Sequence, residues 1–160
     1  MKSIGFQSSQ TIYQNNMFVG IYRITSDILL IPILIFFIIR LIFSKEKLSS
    51  ILEKFSFFQK VRPSGNLIWI NGVSIGEAKT ALTIADVIKK SKPQSNILIS
   101  TSTITSYKLI SKMNKDFLIV YSPLDINFVV KRFISHWKPE STIFIESEIW
   151  PNIFLNLKKK

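Results

Sequence analysis

Four short apolar runs, each followed by a stretch of helical periodicity, limit what the second part of this chain can become. Leu67-Ile68-Trp69-Ile70 enters after Pro63-Ser64-Gly65 and has the length and residue types of a buried strand. Ile97-Leu98-Ile99, Phe117 to Tyr121 and Thr142 to Ile145 repeat the pattern. Between the first two, Glu77 to Lys90 carries Ala78, Ala81, Leu82, Ala85, Val87 and Ile88 at mostly helical spacing. Tyr107 to Met113 reads as a short helix. The next begins under an Asp125 cap, carries Val129, Val130, Phe133 and Ile134, and ends near Trp137 and Pro139. Asn152 to Leu157 reads as the last. Strands alternating with helices build a parallel sheet, so residues 65–160 are expected to form an α/β, Rossmann-like doubly wound layer.

The first part of the chain follows a different rule. Ile28 to Ile39 is apolar throughout, and Leu41, Ile42 and Phe43 extend it past Arg40. Phe18, Val19, Ile21, Tyr22 and Ile24 continue it upstream, interrupted by Arg23 and Asp27. Pro32 is costly inside a soluble helix and tolerated in a membrane one. Arg40 can reach out to headgroups from near one end. The segment 18–43 is therefore read as a single transmembrane or membrane-anchor helix behind a tail of residues 1–17, with a buried core helix as the alternative. A basic juxtamembrane linker, 44–64, holds Lys45, Lys47, Lys54, Lys60 and Arg62 against Glu46 and Glu53. The positive-inside rule places the bulk of the chain in the cytoplasm, with the basic stretch against anionic lipid headgroups. The same stretch also reads as a helix with Leu48, Ile51, Leu52 and Phe55 on one face.

Composition adds exclusions. With 47% apolar and 19% charged residues the chain is not a disordered one. Cysteine is absent, which removes disulfides, thiolate nucleophiles and cysteine zinc sites. The net charge of +11 attracts phosphates, whether of nucleic acid, lipid or a phosphorylated substrate. The lysines are scattered and the aromatics mostly sit in apolar runs, so no nucleic-acid partner is expected. His136, the only histidine, lies at a helix end, where a capping or surface role is expected. No glycine-rich nucleotide loop appears.

In doubly wound sheets chemistry sits beyond the carboxyl ends of the strands. The loops that leave that edge are Asn71-Gly72-Val73-Ser74-Ile75-Gly76-Glu77, the hydroxyl cluster Ser100 to Ser106, Tyr121-Ser122-Pro123-Leu124-Asp125, and Glu146-Ser147-Glu148-Ile149-Trp150-Pro151-Asn152. Read without reference to any family, Glu77 is a first-turn carboxylate suited to stabilising a helix start, and the hydroxyl cluster an ordinary capping run.

Together these loops resemble the Kdo (3-deoxy-D-manno-octulosonic acid) transferases of lipopolysaccharide synthesis. Asn71 to Glu77 matches H-x-V-S-V-G-E, and Ser100 to Ser106 approximates T-x-T-x-T-G. Tyr121, Pro123 and Asp125 match Y-x-P-x-D, with Arg132-Phe133 behind them, and Glu146 to Asn152 matches E-T-E-[IL]-W-P-N with Ser for Thr. Asn71-Gly72 stand where the family has His and a small residue, and Ser106 replaces a common Gly.

The resemblance implies the N-terminal, acceptor-side half of a GT-B glycosyltransferase. A lipid A precursor hydroxyl would attack the anomeric carbon of Kdo, and CMP would leave, without a cofactor or chain-bound metal. Glu77 would be the proton acceptor and Glu146 a transition-state stabiliser. Ser74, Gly76, Thr103, Thr105, Glu148 and Asn152 would bind substrate. Trp150 suits a core position or a sugar platform. Family members are much longer, and here the sequence ends at Lys158-Lys159-Lys160. The site for the CMP-Kdo donor is therefore expected to be absent from this chain. An inactive remnant, or a non-enzymatic basic membrane-associated protein, is the competing expectation.

Overall fold

The computed structural model describes residues 16–43, 46–58, 60–113, 116–145 and 150–158, and at 16–19, 23 and 27 the backbone alone. Helices α1 (Asn16–Ile28), α2 (Leu30–Ile42) and α3 (Leu48–Lys54) precede the alternating part. That part runs β1 (Leu67–Asn71), α4 (Ile75–Ser91), β2 (Asn96–Thr101), α5 (Ile104–Met113), β3 (Leu118–Tyr121), α6 (Asn127–Trp137), β4 (Ser141–Phe144) and α7 (Pro151–Leu157). The strands lie in the order β3-β2-β1-β4 and every pairing is parallel. The fold is the α/β, Rossmann-like sheet that the alternation predicts.

Strand alternation divides the core into two layers. Ile68 and Ile70 face one side, with Ile97 and Ile99, and meet Ala78, Ala81, Leu82 and Ala85 of α4 and Ile110 of α5. Leu67 and Trp69 face the other, with Leu98 and Val120, and meet Val130, Phe133, Ile134 and Trp137 of α6 and Ile153 of α7. Both faces of the sheet are covered, so its strands are apolar without polar alternation.

Proline explains the break between the first two helices. Pro32 has no N–H to offer the carbonyl of Ile28, so regular helix restarts at Leu30. Bonds from Leu29 N to Thr25 O and from Ile33 N to Leu29 O, 3.0 and 3.1 Å, carry the chain across. Gly20–Ile42, 23 residues, is long and apolar enough to cross a membrane by length and composition.

Helix α3 is packed into the domain by one face. Ile51 and Phe55 turn inward onto Phe37, Ile126 and Val129, whereas Leu48 and Leu52 are exposed. Most of the basic residues around this helix have partners inside the molecule. Lys54 is buried in an ion pair with Glu46, its ammonium over the rings of Phe37 and Tyr121. Lys60 bonds Tyr107 Oη at 2.9 Å and lies 3.4 Å from Glu53. Arg62 donates to the carbonyls of Trp137, Pro63 and Gly65. Lys47 remains exposed, and Lys45 lies outside the described residues.

The expected Asp125 cap needs correction. Ile126 occupies the N-cap of α6 and contributes no side-chain cap. Asp125 instead serves a different helix: Asn152 N and Ile153 N, at the start of α7, donate to its carboxylate at 3.2 and 3.0 Å. Tyr22 Oη on α1 donates to the same group at 2.7 Å. Pairing across 27 and 103 residues leaves no mark in a local pattern.

Candidate active site

The strand order reverses between β1 and β4, and this switch point is where open α/β sheets bind their ligands. The loop leaving β1 is rigidly built. Ser74 is the N-cap of α4, and its hydroxyl accepts from Glu77 N at 3.3 Å. Glu77 returns the contact one residue earlier, its Oε2 accepting from Val73 N at 2.7 Å. This is a capping-box arrangement displaced by one position. The Val73 carbonyl accepts from Thr101 Oγ1 at 3.1 Å, so the first two loops are fastened to each other. Glu77 is buried with one carboxylate oxygen engaged, while Ser74 and Gly76 are exposed beside it.

Gly72 makes this geometry possible. A Cβ there would stand 2.9 Å from both the carbonyl carbon and the oxygen of Glu77. These are backbone atoms and cannot rotate away. Gly72→Ala is therefore expected to displace the start of α4 and cost about 1–3 kcal/mol, read as a lower midpoint in chemical unfolding. An unchanged midpoint would mean that β1 and α4 separate freely.

Below the loop lies a buried polar chain. Trp69 Nε1 donates to Ser100 Oγ at 2.7 Å, and Ser100 and Ser122 both donate to Asn71 Oδ1, at 2.6 and 2.7 Å. Asn71 thus ties the ends of β1, β2 and β3 together, a role that sequence reading did not assign to it. In the second loop Thr103 accepts from Ser106 N at 3.1 Å and caps α5. Thr103 and Thr105 are exposed.

A cleft of about 540 Å3 opens against these loops. Ser102, Thr103, Thr105 and Ser122 line it with hydroxyls, and Pro123, Leu124 and Trp150 with apolar surface. Phe36, Phe37 and Arg40 of α2 form a wall, and Lys47, Lys54 and Lys108 add positive charge against Glu46. Ser74, Gly76 and Glu77 are not among its lining residues. The structure thus gathers Thr103, Thr105 and Trp150 in the cleft and Ser74, Gly76 and Glu77 in the adjacent loop. Asn152 is fully buried, its Nδ2 donating to Asp125 O at 2.6 Å. Glu146 and Glu148 lie outside the described residues.

Burial holds two nearby groups away from their ordinary titration. Desolvation raises the Asp125 carboxyl above its usual range, against hydrogen bonds from Tyr22, Asn152 and Ile153 that favour the charged form. Burial also raises the Tyr121 phenol, with the Glu46 charge acting in the same direction. His136 Nε2 donates to Lys60 O, 3.0 Å away, and the ring stacks on Phe58, which is a structural role.

The Ser-x-x-Glu spacing of Ser74 and Glu77 was open to sequence reading as a capping box. The Asn71 hub was not, because its partners come from separate strands.

Known proteins carry a similar segment. The family model for 3-deoxy-D-manno-octulosonic-acid transferase (kdotransferase) matches residues 49–160. A probable mitochondrial 3-deoxy-D-manno-octulosonic acid transferase of Arabidopsis thaliana is 35% identical over 104 residues, covering 64% of this chain and 23% of its own length. The 3-deoxy-D-manno-octulosonic acid transferase of Rickettsia bellii is 37% identical over 125 residues, 77% of this chain and 30% of the relative. That of Haemophilus influenzae is 29% identical over 107 residues, 66% and 25% of the two chains. The chain spans less than a third of the length of these relatives. Because the family match covers well over half of its residues, from α3 to the end, this chain belongs to the 3-deoxy-D-manno-octulosonic-acid transferase family.

Proposed function

We propose that this chain forms the acceptor side of a glycosyltransferase that moves Kdo from CMP-Kdo to a lipid A precursor in lipopolysaccharide synthesis. Residues 65–160 supply the acceptor-side domain, and the apolar helices hold it at the bacterial inner membrane with the sheet in the cytoplasm. The observation that carries this reading is the neighbourhood of Glu77: an oriented carboxylate at the switch point, beside a cleft that is basic, hydroxyl-rich and apolar at once. A phosphorylated, acylated sugar presents the complementary chemistry.

In this reading Glu77 takes the proton of the attacking acceptor hydroxyl. The acceptor oxygen forms a bond to the anomeric carbon of Kdo as the bond from that carbon to the CMP phosphate oxygen breaks. The amide of Val73 fixes one carboxylate oxygen, which aims the group without rotamer search. Glu146 stabilises charge in the transition state. Ser74, Gly76, Thr103, Thr105, Glu148 and Asn152 form the substrate surroundings, with buried Asn152 acting by positioning α7.

The test is a chimera in which the Rickettsia bellii relative replaces its own matching segment with this chain and supplies the rest. Transfer of Kdo from CMP-Kdo to a lipid A precursor is expected, with the product detected by mass spectrometry. No product from a folded chimera, under conditions where the parent relative is active, would favour an inactive remnant.

A further inference from the structure

Two opposite stripes run along the N-terminal helices. One faces the domain: Tyr22, Ser26, Leu30, Ile33 and Phe37, spaced by four, four, three and four residues. Tyr22 donates to Asp125, and Asn152 Nδ2 approaches Ser26 Oγ at 3.4 Å. Leu30 and Ile33 pack on the cluster of Phe37, Ile51, Phe55, Ile126 and Val129. Phe37 meets Phe55 edge to face at 6.0 Å. The other stripe is Ile24, Ile28, Ile31, Ile35, Ile38 and Ile42, each more than half exposed.

Docking therefore extends from Tyr22 to Phe37, which at 1.5 Å per residue is about 22 Å of helix. A bilayer core is about 30 Å thick. If these helices stood across it while docked, the parts of the domain they touch would lie inside hydrocarbon. Asp125, the buried Lys54–Glu46 pair and the amides of Asn152 and Ile153 are among those parts. Charged groups at that depth are costly. Lying in the membrane plane, the same helices immerse their isoleucine stripe and keep the domain in water.

We infer that α1 and α2 form an in-plane, monotopic anchor: the isoleucine stripe sinks into one leaflet of an anionic phospholipid membrane, and the opposite stripe stays docked on the domain. It is an alternative to the single-pass crossing that the length and hydropathy of Gly20–Ile42 allow. It also sets the cleft at the membrane surface, because Phe36, Phe37 and Arg40 belong both to the anchor and to the cleft wall. It does not depend on transfer activity.

The absence of cysteine makes the test clean. Ser9→Cys and, separately, Ser135→Cys are introduced into the full chain, expressed in a Gram-negative host, and treated with a membrane-impermeant maleimide on intact spheroplasts. An in-plane anchor leaves both unlabelled until the cells are lysed. Labelling of Ser9→Cys in intact spheroplasts, with Ser135→Cys still protected, would show that the helix crosses and overturn the inference. A second measurement uses purified chain and vesicles of phosphatidylglycerol and phosphatidylethanolamine. Ile28→Glu with Ile35→Glu touches only the outward stripe and should leave the circular dichroism spectrum unchanged. Partitioning should fall by about 100-fold or more, given the apolar burial lost at two isoleucines. Unchanged partitioning of the folded double variant would also overturn the inference.

Discussion

Glu77→Gln in the chimeric enzyme is expected to lower turnover by about 100- to 10,000-fold, the usual range for loss of a general base. The substitution keeps the side chain's size, and the amide oxygen can still accept from Val73 N, so the turn after β1 should survive. Acceptor binding should therefore change little, and the loss should fall on kcat. Glu146→Gln should lower turnover as well if its charge stabilises the transition state. His136→Ala, which removes a contact to Lys60 O and a stack on Phe58, should leave turnover per folded molecule near the parent value. Normal turnover by Glu77→Gln would return Glu77 to a purely structural role. Its capping geometry is by itself sufficient for that role, so this kinetic result decides between the two.

The second large effect concerns stability. Lys54→Ala is expected to destabilise the domain by about 3–5 kcal/mol, because it leaves the Glu46 carboxylate buried without its cation. Ser50 Oγ lies 3.3 Å from Glu46 and can compensate only in part. Packing on Phe37 and Tyr121 is lost at the same time. The double variant Glu46→Gln with Lys54→Met removes both charges while keeping volume, and should recover most of the loss. Thermal unfolding in lipid nanodiscs gives the comparison. Equal midpoints for parent and Lys54→Ala would mean that water reaches the pair. If Lys54 is as important as its burial implies, the cleft wall formed by α2 should also loosen in the variant.

Much of this molecule was determined by the sequence alone. Four apolar runs with helices between them leave few topologies open, and the parallel sheet follows from local pattern because strands buried on both faces are continuously apolar. The site loops were legible for the same reason: Ser74 and Glu77 act within one turn, and Thr103 caps its own helix. Tertiary structure decided what depends on partners far away in the chain. Lys54, one cation among several in a basic stretch, became a buried ion pair only because α3 folds under β3 and against Phe37. Asp125 passed over its own helix to cap α7 and hold Tyr22, contacts that no period of two or 3.6 residues encodes. The apolar N-terminal segment shows the limit most clearly. Its hydropathy marks it for a membrane and by length and composition allows a span, but composition does not say which face packs on the domain. The distinction rests on the stripe docked against the domain, which exists only once the chain is folded.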